Sequence, residues 1–217
     1  MTTRPEASRY QSAVVIGAAL AGLAWGMTGL VALLDPGPDP GPPGAASFYL
    51  IEGGHALGET GWGLALIGLW RSQRARTGRL GTLLFGLATT ATFIIAALTY
   101  IVVVGTALGF RPSMPGAEES VPAPLIVVAS TLFLFTLIGI LAGYIGSGVT
   151  TIRTGVWPPF AGWALIANPF LMATIFALNA VGIGYKVGIA IGVLWLTLAW
   201  GADRAYRPPD PLGQVGA

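Results

Sequence analysis

Runs of apolar residues, each near the length that crosses a lipid bilayer, alternate along this chain with short segments that hold nearly all of its charge. Six such runs are read, at about residues 13–34, 47–70, 80–108, 125–148, 158–178 and 183–200. About 20 residues of helix, rising 1.5 Å each, cover the roughly 30 Å of hydrocarbon in a bilayer. Unpaired backbone groups in lipid cost several kcal/mol each, so only helices or a closed barrel can span it. The runs are continuous and do not alternate in period two, which excludes a barrel. Only 9% of the residues are charged and 54% are apolar, whereas a soluble domain is about a quarter charged. Such a chain cannot cover itself in water. The expected fold is all-α, a polytopic transmembrane bundle of six helices forming one domain over residues 1–203, with a polar, proline-rich tail at 204–217.

Proline marks the boundaries. Pro36, Pro38, Pro40, Pro42 and Pro43 close the first run, and a second proline-rich loop covers residues 111–124; neither can continue a helix. The first run is read as an anchor, since a secretory leader has an apolar region of only about 7–15 residues followed by a small-residue cleavage site.

Charge sets the expected orientation. Arg4 and Arg9 precede the first run, Arg71, Arg74, Arg76 and Arg79 follow the second, Arg153 follows the fourth, and Arg204 and Arg207 follow the sixth. With six spans all of these fall on one side. The other side holds Arg111 and Lys186 and collects Asp35, Asp39, Glu118 and Glu119. Basic residues favour the cytoplasmic side, so both termini are expected there. The net charge of +2 is thereby used in topology, and no nucleic-acid partner is read from it. The chain has no cysteine, so disulfides, thiolate metal sites and thiol nucleophiles are excluded. Trp70, Trp157, Trp163, Trp195 and Trp200 are candidates for an interfacial belt, while Trp62 lies too deep for one.

Two turns echo each other: Arg76-Thr77-Gly78 leads into the third run and Arg153-Thr154-Gly155 into the fifth. The echo fits either a duplicated two-helix unit or a helix stop suited to a basic interface. The stretch from Ile152 through Trp157, Pro158, Pro159, Ala161 and Gly162 to Trp163, together with the hairpin at residues 68–81, resembles a pattern recurrent in multi-spanning bacterial membrane proteins of unassigned activity. The resemblance covers about a third of the chain. It implies a bacterial inner (plasma) membrane protein and supplies no activity.

The residues with most chemical content are Glu52, His55 and Glu59, at i, i+3 and i+7 of the second run, where they share one helical face. For a helix beginning near Ser47, Glu52 lies about 7 Å and Glu59 about 18 Å from the outer end. A carboxylate at that depth costs at least about 2.5–3.5 kcal/mol, so it needs a partner, a proton or a water cavity. Depth alone nominates Lys186 as a partner for Glu52 and Asn168, beside Pro169, as a neighbour of Glu59. Tyr100, Tyr144 and Tyr185 add donors, and Thr89, Thr90, Thr92 and Thr136 can bond to backbone or across helices.

Several readings of the stripe are open. It could be a proton or cation relay, or a small-ligand site, for transport. It could hold a divalent metal, although a single histidine leaves the remaining ligands to oxygen donors. A haem would need a second chain, so no cofactor is predicted. The bland alternative is a buried hydrogen-bonded strut, of the kind that contributes about 0.6 kcal/mol on average. Gly184, Gly188 and Gly192 form a small-residue ridge that either packs within the chain, with Gly139, Gly143 and Gly146 as a candidate complement, or mediates homo-oligomerisation or contact with a partner membrane subunit. Phosphate-cradling loops, paired helical histidines and nucleophile elbows are absent from the sequence, and Ser147 lies toward the opposite leaflet from His55; catalysis is the least favoured class. The two functional expectations are a small-solute or ion- or proton-linked transport or ligand-binding protein centred on the stripe, and a structural or assembly subunit without a site of its own.

Overall fold

The computed structural model of the chain describes residues 4–34, 45–109, 123–179 and 181–205, and every regular element among them is helical. The proline-rich loops, with Asp35, Asp39, Arg111, Glu118 and Glu119, and the tail beyond residue 205, with Arg207, lie outside the described residues. In chain order the helices are α1 (Arg4–Leu34), α2 (Ala46–Ala107), α3 (Ala123–Ile138), α4 (Ile145–Thr154), α5 (Pro159–Asn179) and α6 (Gly188–Ala205). A π-helical turn, Gly139–Tyr144, joins α3 to α4, and a 3₁₀ turn, Gly184–Val187, leads into α6. Among the described residues five helical stretches are long and apolar enough to cross a membrane.

The longest of them, α2, has 62 residues and would measure about 93 Å if straight, three times the hydrocarbon thickness. It is broken at Gly78, whose φ of 63° and ψ of −174° fall in a region that only glycine occupies. The two limbs run back along each other: Thr60 lies 3.4 Å from Tyr100, and Thr99 donates to Glu59 at 3.2 Å. A basic turn is expected over residues 71–79, but the helix continues through Arg71, Arg74 and Arg76 to Thr77. Arginine is a good helix former and nothing stops the chain before Gly78. The second echoing glycine, Gly155, is a left-handed cap with φ 60°, and Arg76 Nη1 donates to the Thr154 carbonyl at 3.2 Å. Each Arg-Thr-Gly therefore ends a helix, and the two turns touch.

Contacts gather the ends of several helices at this basic end. Gln11 near the start of α1 donates to the carbonyls of Ala202 and Asp203 in α6 at 3.1 and 3.2 Å, and Trp157 donates to Ser72 at 2.7 Å. At the opposite end Tyr185 reaches Glu52.

Small residues allow the central helices to touch backbone to backbone. A Cβ on Gly192 would lie 2.7 Å from Gly26 Cα, and one on Gly188 would lie 2.8 Å from the Trp25 carbonyl oxygen. The complement of the α6 ridge is thus Gly22, Gly26 and Gly29 of α1. Gly139, Gly143 and Gly146 pack instead against Leu87, Ala88, Ala91 and Leu84 on the second limb of α2. Because α1 of the same chain covers Gly188 and Gly192, that part of the ridge is not offered to a second molecule. Gly61 meets α1 in the same way, with a Cβ position 2.6 Å from the Gly17 carbonyl oxygen.

The buried centre holds Val14, Ala18, Ala21 and Trp25 of α1 against Trp62, Ala65, Leu66 and Leu69 of α2, with Leu165, Ile191 and Trp195 closing it. Outside, residues such as Ile16, Leu23, Leu83, Ile101, Phe176 and Val193 are exposed, the apolar exterior that a bilayer-facing surface requires. Trp163 and Trp200 are exposed at 61% and 58%, as a belt demands. Trp157 and Trp195 are buried and belong to the core, as does Trp62.

Candidate functional site

The 3.6-residue repeat of α2 brings Glu52, His55 and Glu59 into line, and the structure places all three in contact. His55 Nδ1 lies 3.7 Å from Glu52 Oε2, and His55 Nε2 lies 3.2 Å from Glu59 Oε1. The imidazole thus sits between two carboxylates, one turn apart on either side. Neither nitrogen has the alignment of a hydrogen bond to its carboxylate, so the three groups are close enough to share protons without being locked in one bonded arrangement.

Each carboxylate has a second partner from another segment. Tyr185, on the 3₁₀ turn before α6, donates to Glu52 Oε1 at 2.9 Å, and Thr99 donates to Glu59 Oε2 at 3.2 Å, sharing its one hydrogen with the Ile95 carbonyl at 3.1 Å. Lys186 is not the group that meets Glu52: among the described residues no ion pair joins them, and the neighbouring phenol takes the place. The side chains of Glu52 and His55 are each 13% exposed, while Glu59 is fully buried. Access therefore declines along the stripe from its outer end inward.

Aromatic rings wall the stripe. The Trp25 ring meets His55 edge-on at 4.3 Å between centroids and stacks on Trp62 at 5.1 Å with planes 10° apart. Tyr185 is edge-on to His55 at 5.8 Å, and Trp62 continues to Trp195 at 5.8 Å. Gly58 makes the close approach possible, because a Cβ there would stand 2.6 Å from Trp25 Nε1. Among the described residues the hydrogen bonds of Glu59 and Asn168 go to different partners. Asn168 is buried on α5, which continues as a helix through Pro169, and its Oδ1 accepts from Trp195 Nε1 at 2.9 Å. It is linked to the site through the row of indoles.

The three donors diverge. Glu52 and Glu59 lie on opposite edges of the imidazole, so they cannot converge with it on one ion, and no group of three or more metal-ligating side chains suited to a metal occurs among the described residues. What the arrangement can do is hold and share protons: two carboxylates and an imidazole stand in a row in a low-dielectric setting. Unsatisfied buried polar atoms concentrate here. Glu59 Oε1 and both His55 nitrogens meet only each other and Glu52, without hydrogen-bond alignment, and Trp25 Nε1 and Trp62 Nε1 have no hydrogen-bond partner. Buried polar groups are ordinarily paired, and clusters of exceptions mark strained or functional places.

Sequence reasoning missed Trp25, Thr99 and Trp195. A tryptophan in the middle of an apolar run, with Gly58 one helix away, is a usable signal for the first; nothing in the sequence points to the other two. Among the nominated donors, Tyr185 meets Glu52 and Tyr144 meets Thr92 at 2.9 Å. Thr136 is buried with its hydroxyl unpartnered. Comparison of the chain with protein-family models, with curated proteins and with solved structures found no match.

Proposed function

We propose that this chain is a six-span membrane protein of a bacterial plasma membrane, with both termini cytoplasmic, that carries out proton- or cation-linked transport or small-ligand binding at Glu52, His55 and Glu59. The six-span count treats the limbs of α2 on either side of Gly78 as separate crossings, each about 30 residues long, and the arginine distribution supports the orientation. One observation carries the functional reading. Glu59 is fully buried in the apolar centre, its Oε1 3.2 Å from His55 Nε2 and its Oε2 3.2 Å from Thr99 Oγ1, an expensive arrangement that stability alone does not call for.

The test uses the full chain reconstituted in liposomes under an imposed pH gradient and membrane potential. Glu59→Gln keeps the size and hydrogen-bonding capacity of the side chain and removes its titration. It is expected to lower ion-linked uptake or proton flux at least about tenfold, the loss of a relay group being worth about 1.4 kcal/mol or more, with tryptophan emission unchanged as a check of folding. Equal flux in the two proteins would remove the reading.

A second reading, a structural or assembly subunit, is favoured by the complete closure around Glu59. In that case the stripe is a strut, and Glu59→Gln lowers thermal stability without changing any flux.

A further inference from the structure

A second polar row continues where the first one ends. On the helix formed by the π turn and α4, Tyr144, Ser147, Thr151 and Thr154 stand at i, i+3, i+7 and i+10, one face of the helix. Tyr144, Ser147 and Thr151 are fully buried. Three fully buried hydroxyls in line with a fourth, part-buried one are not required for packing, since phenylalanine, alanine and valine would fill the same space without a polar atom.

The row is tied to α2. Gln73 donates from Nε2 to Thr151 Oγ1 at 2.9 Å and accepts from Thr154 Oγ1 at 2.6 Å. Thr92 already donates to the Ala88 carbonyl at 2.8 Å, so Tyr144 is the donor in their 2.9 Å bond. Ser147 Oγ alone in the row is buried without a partner. From Glu52 to Gln73 is 21 residues of α2, about 32 Å of helix, which matches the thickness of the hydrocarbon. The outer part of that length carries carboxylates and imidazole, and the inner part carries hydroxyls and an amide.

Between the two rows stands an indole. Thr99, which meets Glu59, and Thr92, which meets Tyr144, are seven residues apart on the second limb of α2, about 10 Å. Trp62, three residues beyond Glu59 on α2, lies edge-on to Tyr144 at 6.4 Å between centroids. The π turn ends at Tyr144 itself, and such turns are the places where a helix changes register most readily.

From this geometry we infer that the ion handled at the stripe is the proton, and that Tyr144, Ser147, Thr151 and Thr154 form the inner half of its route, with Trp62 as the barrier between the halves. The inference rests on the stripe being a functional site. A proton suits both halves. Outside, diverging donors cannot enclose a metal ion, yet adjacent titratable groups can pass a proton. Inside, the row holds no carboxylate to offset a metal cation, but each hydroxyl oxygen can accept one proton and release its own. The step balances: the Glu59 carboxyl gives up one proton, each hydroxyl or intervening water ends with the hydrogens it began with, and one proton leaves at the Thr154 end beside Arg76.

Two readouts on the full chain in liposomes separate this inference from the reading it rests on. The first is the protonated-carboxyl infrared band across a pH series, with Glu59→Gln as the reference that removes it. The second is proton flux driven by a potassium diffusion potential and followed by a trapped pH dye. The double variant Ser147→Ala, Thr151→Val is expected to retain the band and to lose flux about tenfold, and Ser147→Thr with Thr151→Ser to restore it. A titrating band with flux equal in the double variant and the parent overturns the route while leaving the stripe as a binding site. Parent flux no greater than that of protein-free liposomes also overturns the route, and absence of a titrating Glu59 band overturns the stripe reading as well.

Discussion

Gly26 and Gly192 face each other across the α1–α6 contact, yet substitution at the two positions should have unequal effects. A Cβ on Gly192 would stand 2.7 Å from both Gly26 Cα and Gly26 N and 2.8 Å from the Gly22 carbonyl oxygen. All three are backbone atoms of α1, so no side chain can rotate away, and the separations are about 1 Å inside the optimum of roughly 3.5–4.0 Å. The helices must part, at a cost of about 1–3 kcal/mol. A Cβ on Gly26 would find its nearest atom, Gly192 Cα, at 4.0 Å, an ordinary contact. Gly26→Ala is therefore expected to be neutral or slightly stabilising, because alanine is favoured over glycine within a helix by up to about 1 kcal/mol. In a chain of this size 1 kcal/mol corresponds to roughly 2–4 °C in Tm. Thermal unfolding in detergent, followed by tryptophan emission, should place Gly192→Ala about 2–12 °C below the parent and Gly26→Ala between the parent value and about 4 °C above it. Equal destabilisation by the two variants would refute the register of this contact, and with it the argument that α1 covers the α6 ridge.

Gly78→Ala should destabilise the hairpin by about 1–3 kcal/mol, since its φ of 63° and ψ of −174° exclude a side chain; a matching Gly86→Ala control has open space for the Cβ and should be silent in the same unfolding assay. Ser72→Ala leaves the buried Trp157 Nε1 without its 2.7 Å acceptor and is expected to cost about 1–3 kcal/mol. Ser72→Thr, which keeps the hydroxyl, should recover most of that loss in chemical denaturation.

The features that the sequence alone determined are those governed by local geometry. Long apolar runs must be helical in lipid because their backbone groups have no other partners, and Glu52, His55 and Glu59 must share a face because a helix repeats every 3.6 residues. Gly78 and Gly155 were legible as candidate helix stops, since glycine tolerates such backbone angles at no cost, although the runs before them were expected to end near residues 70 and 148 and continue as helix to Thr77 and Thr154. Contacts between helices were decided only by the tertiary structure, because they depend on how each helix is rotated and slid against its neighbour. Tyr185 and Lys186 are adjacent, but one step along a 3₁₀ turn rotates a side chain by about 120°, and this brings the phenol to Glu52 and not the ammonium. Gly139, Gly143 and Gly146 offered the same small-residue pattern as Gly22, Gly26 and Gly29, and spacing cannot distinguish two equivalent ridges. The meetings of Trp25 with His55 and of Thr99 with Glu59 likewise join residues 30 and 40 positions apart, and no periodicity within a single helix encodes such a meeting.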